Sequence, residues 1–108
     1  VHSFTPILGK KKRPFDLGIL FDRYADLAQE FGQLLSQTGY RVRYNEPYSG
    51  YDGLIFSAWR HGEHNHLVYL EIEMNNGLLL NPAGIAEMGQ KLSQVLKDLF
   101  TSQKEHTA

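Results

Sequence analysis

The residues of this 108-residue chain best placed to do chemistry are histidines, glutamates and arginines. His2 opens the segment His2-Ser3-Phe4-Thr5-Pro6, where a strand-end histidine can offer a ring nitrogen to a metal. A catalytic zinc takes about three protein ligands and keeps a position for water, so one histidine is not a site. A lone histidine there is more often simply a satisfied or exposed side chain. Glu71 lies within the alternating stretch Leu67–Met74, where Val68, Leu70, Ile72 and Met74 take one face and Leu67, Tyr69, Glu71 and Glu73 the other. An ionised carboxylate in an apolar strand costs free energy unless compensated, so it marks a cleft or an open sheet face. Partial desolvation raises its pKa, which suits a general base for water. The other reading is the solvated face of an edge strand, and the pattern leaves both open. Glu71 and Glu73 are two residues apart, about 6.6 Å along a strand, so only one can stand beside an attacking water. Glu71, deeper in the apolar run, is the expected base; Glu73, nearer the strand end, is expected to stay solvated or to orient a cation.

Two further groups carry weaker signals. His61-Gly62-Glu63-His64-Asn65-His66 has spacings a metal would accept, yet alternate histidines in a polar turn usually form a solvated loop. Lys10, Lys11, Lys12 and Arg13 repel one another and contain no aromatic platform for stacking bases, so a solvated loop is expected rather than a nucleic-acid patch.

The elements that must position these residues read as alternating strands and helices. Val1–Phe4 is a short strand stopped by Thr5-Pro6, since proline cannot donate to a ladder. Leu17–Phe21 is a continuous apolar run of strand length, the kind covered on both faces. Asp22 is the expected cap of a helix from residue 23 to about 37, with Tyr24, Leu27, Phe31, Leu34 and Leu35 on one stripe and Gly39 as its left-handed terminator. Tyr40–Tyr44 alternates as a strand, and Asn45–Gly53 is a loop rich in turn residues. Leu54–Arg60 reads as a further strand followed by a polar turn through His61, His64 and His66. Asn81-Pro82 opens a helix whose stripe is Ile85, Met88, Leu92, Val95, Leu96 and Leu99, and residues 101–108 read as a polar tail.

Composition bounds the rest. The length fits one domain, residues 1–100, with 42% hydrophobic, 12% aromatic and 21% charged residues, a globular balance. Eleven Lys and Arg against twelve Asp and Glu give a net charge of −1, which argues against a dedicated nucleic-acid domain. The chain has no cysteine, which excludes disulfides, thiolate zinc ligands and cysteine nucleophiles. Apolar runs are too short for a membrane helix, and the first residues lack the pattern of a signal peptide, so a cytoplasmic location is expected. A chain opening on Val1 inside a strand suggests a segment of something longer.

Five segments together, His2–Pro6, Gly18-Ile19-Leu20-Phe21-Asp22-Arg23, Asn45-Glu46-Pro47-Tyr48-Ser49-Gly50, Arg60-His61-Gly62 and Leu70-Glu71-Ile72, resemble the C-terminal part of the N-formylglutamate amidohydrolase family, from Val1 to about Phe100. That family is similar to zinc carboxypeptidases and aspartoacylase. The resemblance implies an α/β fold with a mixed sheet and flanking helices, like the C-terminal part of a zinc-exopeptidase-like (phosphorylase/hydrolase-like) fold. It also implies zinc as cofactor, His2 as a zinc ligand and Glu71 as general base and acid. Asn45 and Tyr48 match a loop that closes over substrate, and Arg23 and His61 become candidates for substrate carboxylates or the oxyanion. The implied reaction is hydrolysis of an N-formyl or N-acyl amino acid, such as N-formyl-L-glutamate, to formate and the amino acid. In it zinc polarises the acyl oxygen and lowers the pKa of water toward about 7. Two departures stand out: Glu73 occupies the position where the family commonly has an arginine, and nothing before His2 supplies the family's first two zinc ligands. The expected partners are therefore the small-molecule substrate and the N-terminal part of the same protein, with no nucleic acid and no membrane. The competing readings are a non-catalytic α/β binding module and a zinc acyl-amino-acid or carboxypeptidase-type hydrolase of other specificity.

Overall fold

The computed structural model describes residues 1–107, with side chains for all of these except Leu8 and residues 103–107. Strands β1 (His2–Phe4), β4 (Leu17–Leu20), β5 (Val42–Tyr44) and β6 (Glu71–Asn75) form one mixed sheet in the order β1-β6-β4-β5. A two-stranded hairpin, β2 (Ile7–Leu8) and β3 (Lys11–Lys12), projects from it. The central pair, β4 and β6, is antiparallel; β1 joins β6 and β5 joins β4 in parallel. Helices α1 (Ala25–Gln37) and α3 (Pro82–Thr107) flank the sheet, and α2 (Phe56–Asn65) packs near the end of β4. The fold is mixed α/β, as the alternation of elements requires. No described helix is long and apolar enough to cross a membrane.

The sheet divides the molecule into two chemically different faces. Leu17, Ile19, Ile72 and Met74 point to one side and pack against Ala28, Phe31 and Leu35 of α1 and Met88, Val95 and Leu99 of α3. Each fully buried aliphatic side chain among them contributes about 1.5–3 kcal/mol, which makes this face the main source of stability. The α3 stripe repeats at positions 88, 92, 95 and 99; Ile85 and Leu96, expected within it, lie about half exposed off its edge. Register then dictates the other face. Gly18 pairs with Glu73 and Leu20 with Glu71, while His2 pairs with Glu73 from the opposite side. Side chains at paired positions share a face, so His2, Glu71, Glu73 and Leu20 all lie away from α1 and α3.

Several local expectations need correction. Leu54–Arg60 is not a strand: Ile55, Ala58 and Gly62 recur at helical spacing against Leu20 and Tyr69, so the segment is helical and carries His61 and His64 with it. Strand pairing in β6 begins at Glu71, opposite Leu20, so Leu67 and Val68 stay unpaired and more than half exposed. Asp22 does not cap α1. Tyr24 takes the cap position in the left-handed region, φ 61°, and makes no side-chain capping bond. The run Lys10–Arg13 is not all loop, since Lys11 and Lys12 form β3. Residues 101–107 of the expected tail continue α3, and residue 108 lies outside the described residues.

Gly18 has a specific steric task. A methyl group there would collide with the Glu46 carbonyl, because the chain after β5 crosses the polar face at this point. The obstruction is backbone and cannot rotate away. Gly18→Ala should therefore cost about 1–3 kcal/mol in denaturant unfolding. Gly89→Ala, on an open surface of α3, should gain about 0.5–1 kcal/mol. Equal effects at the two positions would mean that the loop does not press on the sheet.

Candidate metal centre

The polar face gathers one group of three metal-compatible side chains among the described residues: His2, Glu71 and Glu73, whose ligand atoms all lie within 4.8 Å of one another. His2 Nε2 is 3.1 Å from Glu71 Oε1, and its own side chain is 67% exposed. Glu71 and Glu73 are both buried, with 8% and 4% of their surfaces accessible. Glu73 is thus not the solvated member of the pair. It sits mid-sheet between His2 on β1 and Gly18 on β4, and its Oε2 is buried with no hydrogen-bond partner. Burial, and then the charge of Glu71, push the Glu73 carboxyl above its ordinary range; His2 and Arg13 pull it back. A buried carboxylate oxygen without a donor calls for a proton or a cation. The donor set of one imidazole and carboxylate oxygens is one that zinc accepts, and the exposed side of His2 leaves an approach for further ligands.

The loop after β5 is built to lie against this face. Asn45, at φ 52°, turns its side-chain oxygen to accept from Phe21 N at 2.9 Å and Gly50 N at 3.0 Å. That oxygen pins both ends of the Asn45–Gly50 loop to the end of β4, so Asn45 positions the loop. Gly50 fits because any side chain there would strike the Phe21 backbone. Ser49 Oγ accepts from Tyr51 N and closes the following turn. Within this frame the Tyr48 ring lies 5.4 Å from the Arg13 guanidinium, which also stands 5.8 Å from the Phe4 ring on β1. Tyr48 is therefore on the side of the sheet that carries His2 and Glu71.

Arg23 and His61 are placed differently. Arg23 Nη1 is 2.5 Å from Glu63 Oε1 and ties the entry of α1 to α2. His61 is exposed on α2, where Asn65 Nδ2 donates to its carbonyl at 2.8 Å and lies 3.3 Å from its Nδ1. It lines a separate recess with Arg60 and His64, and none of the three joins the metal-compatible group. Two residues on the polar face have a different place from the one expected of them: Glu73 is buried rather than solvated, and Arg13 is not part of a solvated loop. Glu73 was signalled by the Glu-x-Glu spacing, which puts both carboxylates on one face. Arg13 was hidden in a run of like charges, although Pro14-Phe15 just after it anchors the chain: the Phe15 ring lies 5.0 Å from Phe4.

The sequence profile of the N-formylglutamate amidohydrolase family matches residues 1–80, most of the chain. The chain belongs to this family. No curated protein matches it. The crystal structure of a gene product from Agrobacterium tumefaciens is similar to it, with 27% identity and a TM-score of 0.84 over 94% of this chain. The chain spans 40% of that protein's length. The matched region of this N-formylglutamate amidohydrolase family member includes the metal-compatible group, the Asn45–Gly50 loop and α2.

One hydrogen bond joins the polar face to α1 and α2. Tyr69 donates its hydroxyl to Asp22 Oδ1 at 2.6 Å, with its ring edge-on to Tyr24 and against Gly62. Burial first, and the Asp22 bond second, push its phenol up to about 12. A phenol with a raised folded-state pKa adds stability below its ordinary value of 10, and that contribution is lost as pH rises through about 12. Tyr69→Phe should cost about 1 kcal/mol at neutral pH. The gap to the parent should then close between pH 10 and 12, as urea unfolding across that range would show. A gap that stayed constant across that range would mean that Tyr69 ionises normally in the fold.

Proposed function

We propose that the protein is a zinc-dependent amidohydrolase acting on an N-formyl, or more broadly N-acyl, amino acid of the N-formylglutamate kind. The observation that carries this reading is the unpartnered, buried Glu73 Oε2 beside the exposed imidazole of His2. The family membership supports the reaction class. His2 would hold the metal, and Glu71, 3.1 Å from Nε2, fixes the ring and leaves Nδ1 as the nitrogen free for ligation. A catalytic zinc takes about three protein ligands, so the proposal has the others supplied by polypeptide outside residues 1–108. The 40% coverage of the similar structure is consistent with this. Zinc, when bound, supplies a Lewis acid for the acyl oxygen and a water of lowered pKa.

The chain's own residues do the proton work. We assign the base to Glu73 rather than Glu71, because Glu71 is engaged with His2 while Glu73 Oε2 has no competing donor. Glu73 takes a proton from the attacking water and returns it to the amino nitrogen as the acyl C–N bond breaks. Its burial keeps the carboxylate a better base than one in water, since desolvation raises its proton affinity. Apolar Leu20 opposite Glu71 and the chain at Glu46–Pro47 over Gly18 limit solvent on the inner side.

Two conservative substitutions in the full-length protein separate the roles. Glu73→Gln should lower kcat for formate release by about 10²–10⁴ with zinc content unchanged. Glu71→Gln should weaken zinc binding by about 10–100-fold and cost less in kcat when zinc is saturating. The reverse ranking would return the base to Glu71, and full activity in both variants would remove the mechanism.

A further inference from the structure

Among the described residues Arg13 is a half-buried arginine in no ion pair. Among the described residues Arg23 pairs with Glu63 and Arg41 with Asp16, while no carboxylate stands within ion-pair distance of Arg13. It is nevertheless held firmly. One guanidinium N–H donates to the Thr5 carbonyl at 3.2 Å, and the plane is flanked by the Phe4 and Tyr48 rings at 5.8 and 5.4 Å. The backbone is fixed as well: Arg13 N donates to Pro6 O at 2.8 Å, and Phe15 N to Arg13 O at 2.9 Å. An arginine ordered this way has lost much of its side-chain entropy before any ligand arrives, with most of its fork of donors still free.

Its location gives that fork a use. Phe4 lies two residues along β1 from His2, about 6.6 Å, and so on the same face of the sheet, which puts Arg13, against the Phe4 ring, on the face that carries the metal-compatible group. On its other side opens a recess of about 420 Å³ lined by Lys11, Lys12, Arg13 and Arg43, with Glu46 as the opposing charge and Pro47 beside it. Four cations against one carboxylate make this an anion-accepting pocket. The Asn45–Gly50 loop supplies one wall through Pro47 and, through Tyr48, one side of the arginine.

We propose that Arg13, clamped between Phe4 and Tyr48 at the mouth of the recess formed with Lys12 and Arg43, is the specificity-determining residue that binds the α-carboxylate of the N-acyl amino acid, the recess beyond taking an acidic side chain. This rests on the functional reading above and adds to it the residue that reads the substrate's α-carboxylate. A planar guanidinium meets a carboxylate with two parallel N–H···O bonds, which sets the orientation of the amide relative to His2 and Glu73. Arg23, committed to Glu63, is left out of this role.

The test uses the full-length zinc-loaded protein. Arg13→Gln should raise KM for N-formyl-L-glutamate by about 10–100-fold with little change in kcat, and Arg13→Lys should recover part of the loss. On the α-amide of the same substrate, parent and Arg13→Gln should be equal. An equal loss on acid and amide would overturn the proposal, as would no loss on either. Arg43→Gln should reduce the preference for N-formyl-L-glutamate over N-formyl-L-glutamine by about tenfold, and an unchanged ratio would overturn the recess as side-chain pocket. Calorimetric titration with glutarate, a dicarboxylate with no scissile bond, reads the same contact without turnover. Its affinity should fall at least tenfold in Arg13→Gln at unchanged Tm. Should the parent protein release no formate from any N-formyl amino acid, the functional reading fails, and glutarate still decides Arg13: an undiminished affinity in the variant ends the proposal.

Discussion

Two carboxylates on neighbouring inward positions of a central strand set the terms for the rest of this molecule. Glu71 and Glu73 flank Ile72 on β6, and strand alternation allows neither to leave the sheet face without carrying the other. Both are nearly out of contact with water. Burying one unpaired charge costs several kcal/mol, and placing a like charge two residues away adds to it. The surroundings answer the two differently. Glu71 receives the imidazole of His2, whereas Glu73 keeps one oxygen without a donor and has its pKa raised. A site left partly unsatisfied in this way is under continuous demand for a cation or a proton, and that demand is the thermodynamic basis for chemistry there.

The demand persists only because the face is kept from collapsing or flooding. The Asn45–Gly50 loop does this with backbone and small groups. Asn45 Oδ1 holds Phe21 N and Gly50 N together, Gly18 lets the Glu46 carbonyl approach the sheet, and Gly50 lies against the Phe21 backbone. The motif Asn45-Glu46-Pro47-Tyr48-Ser49-Gly50 therefore divides between residues that fix the loop's path and Tyr48, whose ring the path delivers to Arg13. Fixing the path with main-chain contacts leaves the side chains of Tyr48 and Arg43 available at the surface.

Much of this was legible in sequence where a single local rule decided the outcome. The apolar run Leu17–Phe21, the alternation Leu67–Met74 and the Asn81-Pro82 helix start each follow one rule; the structure forms strands over Leu17–Leu20 and Glu71–Asn75 within or across the end of the first two, and a helix from Pro82. Leu54–Arg60 did not, because a short apolar run fits strand and helix equally until its partner is known; only the spacing of Ile55, Ala58 and Gly62 against Tyr69 separates them. The capping role expected of Asp22 failed for a related reason. A long-range partner, Tyr69, 47 residues away, takes its carboxylate. His2, Glu71 and Tyr48 share one side of the sheet, whereas the depth of Glu73 depends on which strands stand beside β6, and no local pattern encodes that.

Strand β6 shows why stability and site are inseparable here. Its alternate residues Ile72 and Met74 enter the apolar core beneath α1 and α3, each contributing about 1.5–3 kcal/mol, while Glu71 and Glu73 face the other way at a cost of similar order. A register slip by one residue would bury two carboxylates under the helices and expose the core residues, so the apolar face enforces the register that assembles the polar one. The central position of β6 strengthens this. Paired on both sides, it fixes His2 through β1 and Gly18 through β4 in the same step. The geometry of the candidate centre is thus held by packing on the opposite side of the sheet, and the polar face is free to remain unsatisfied.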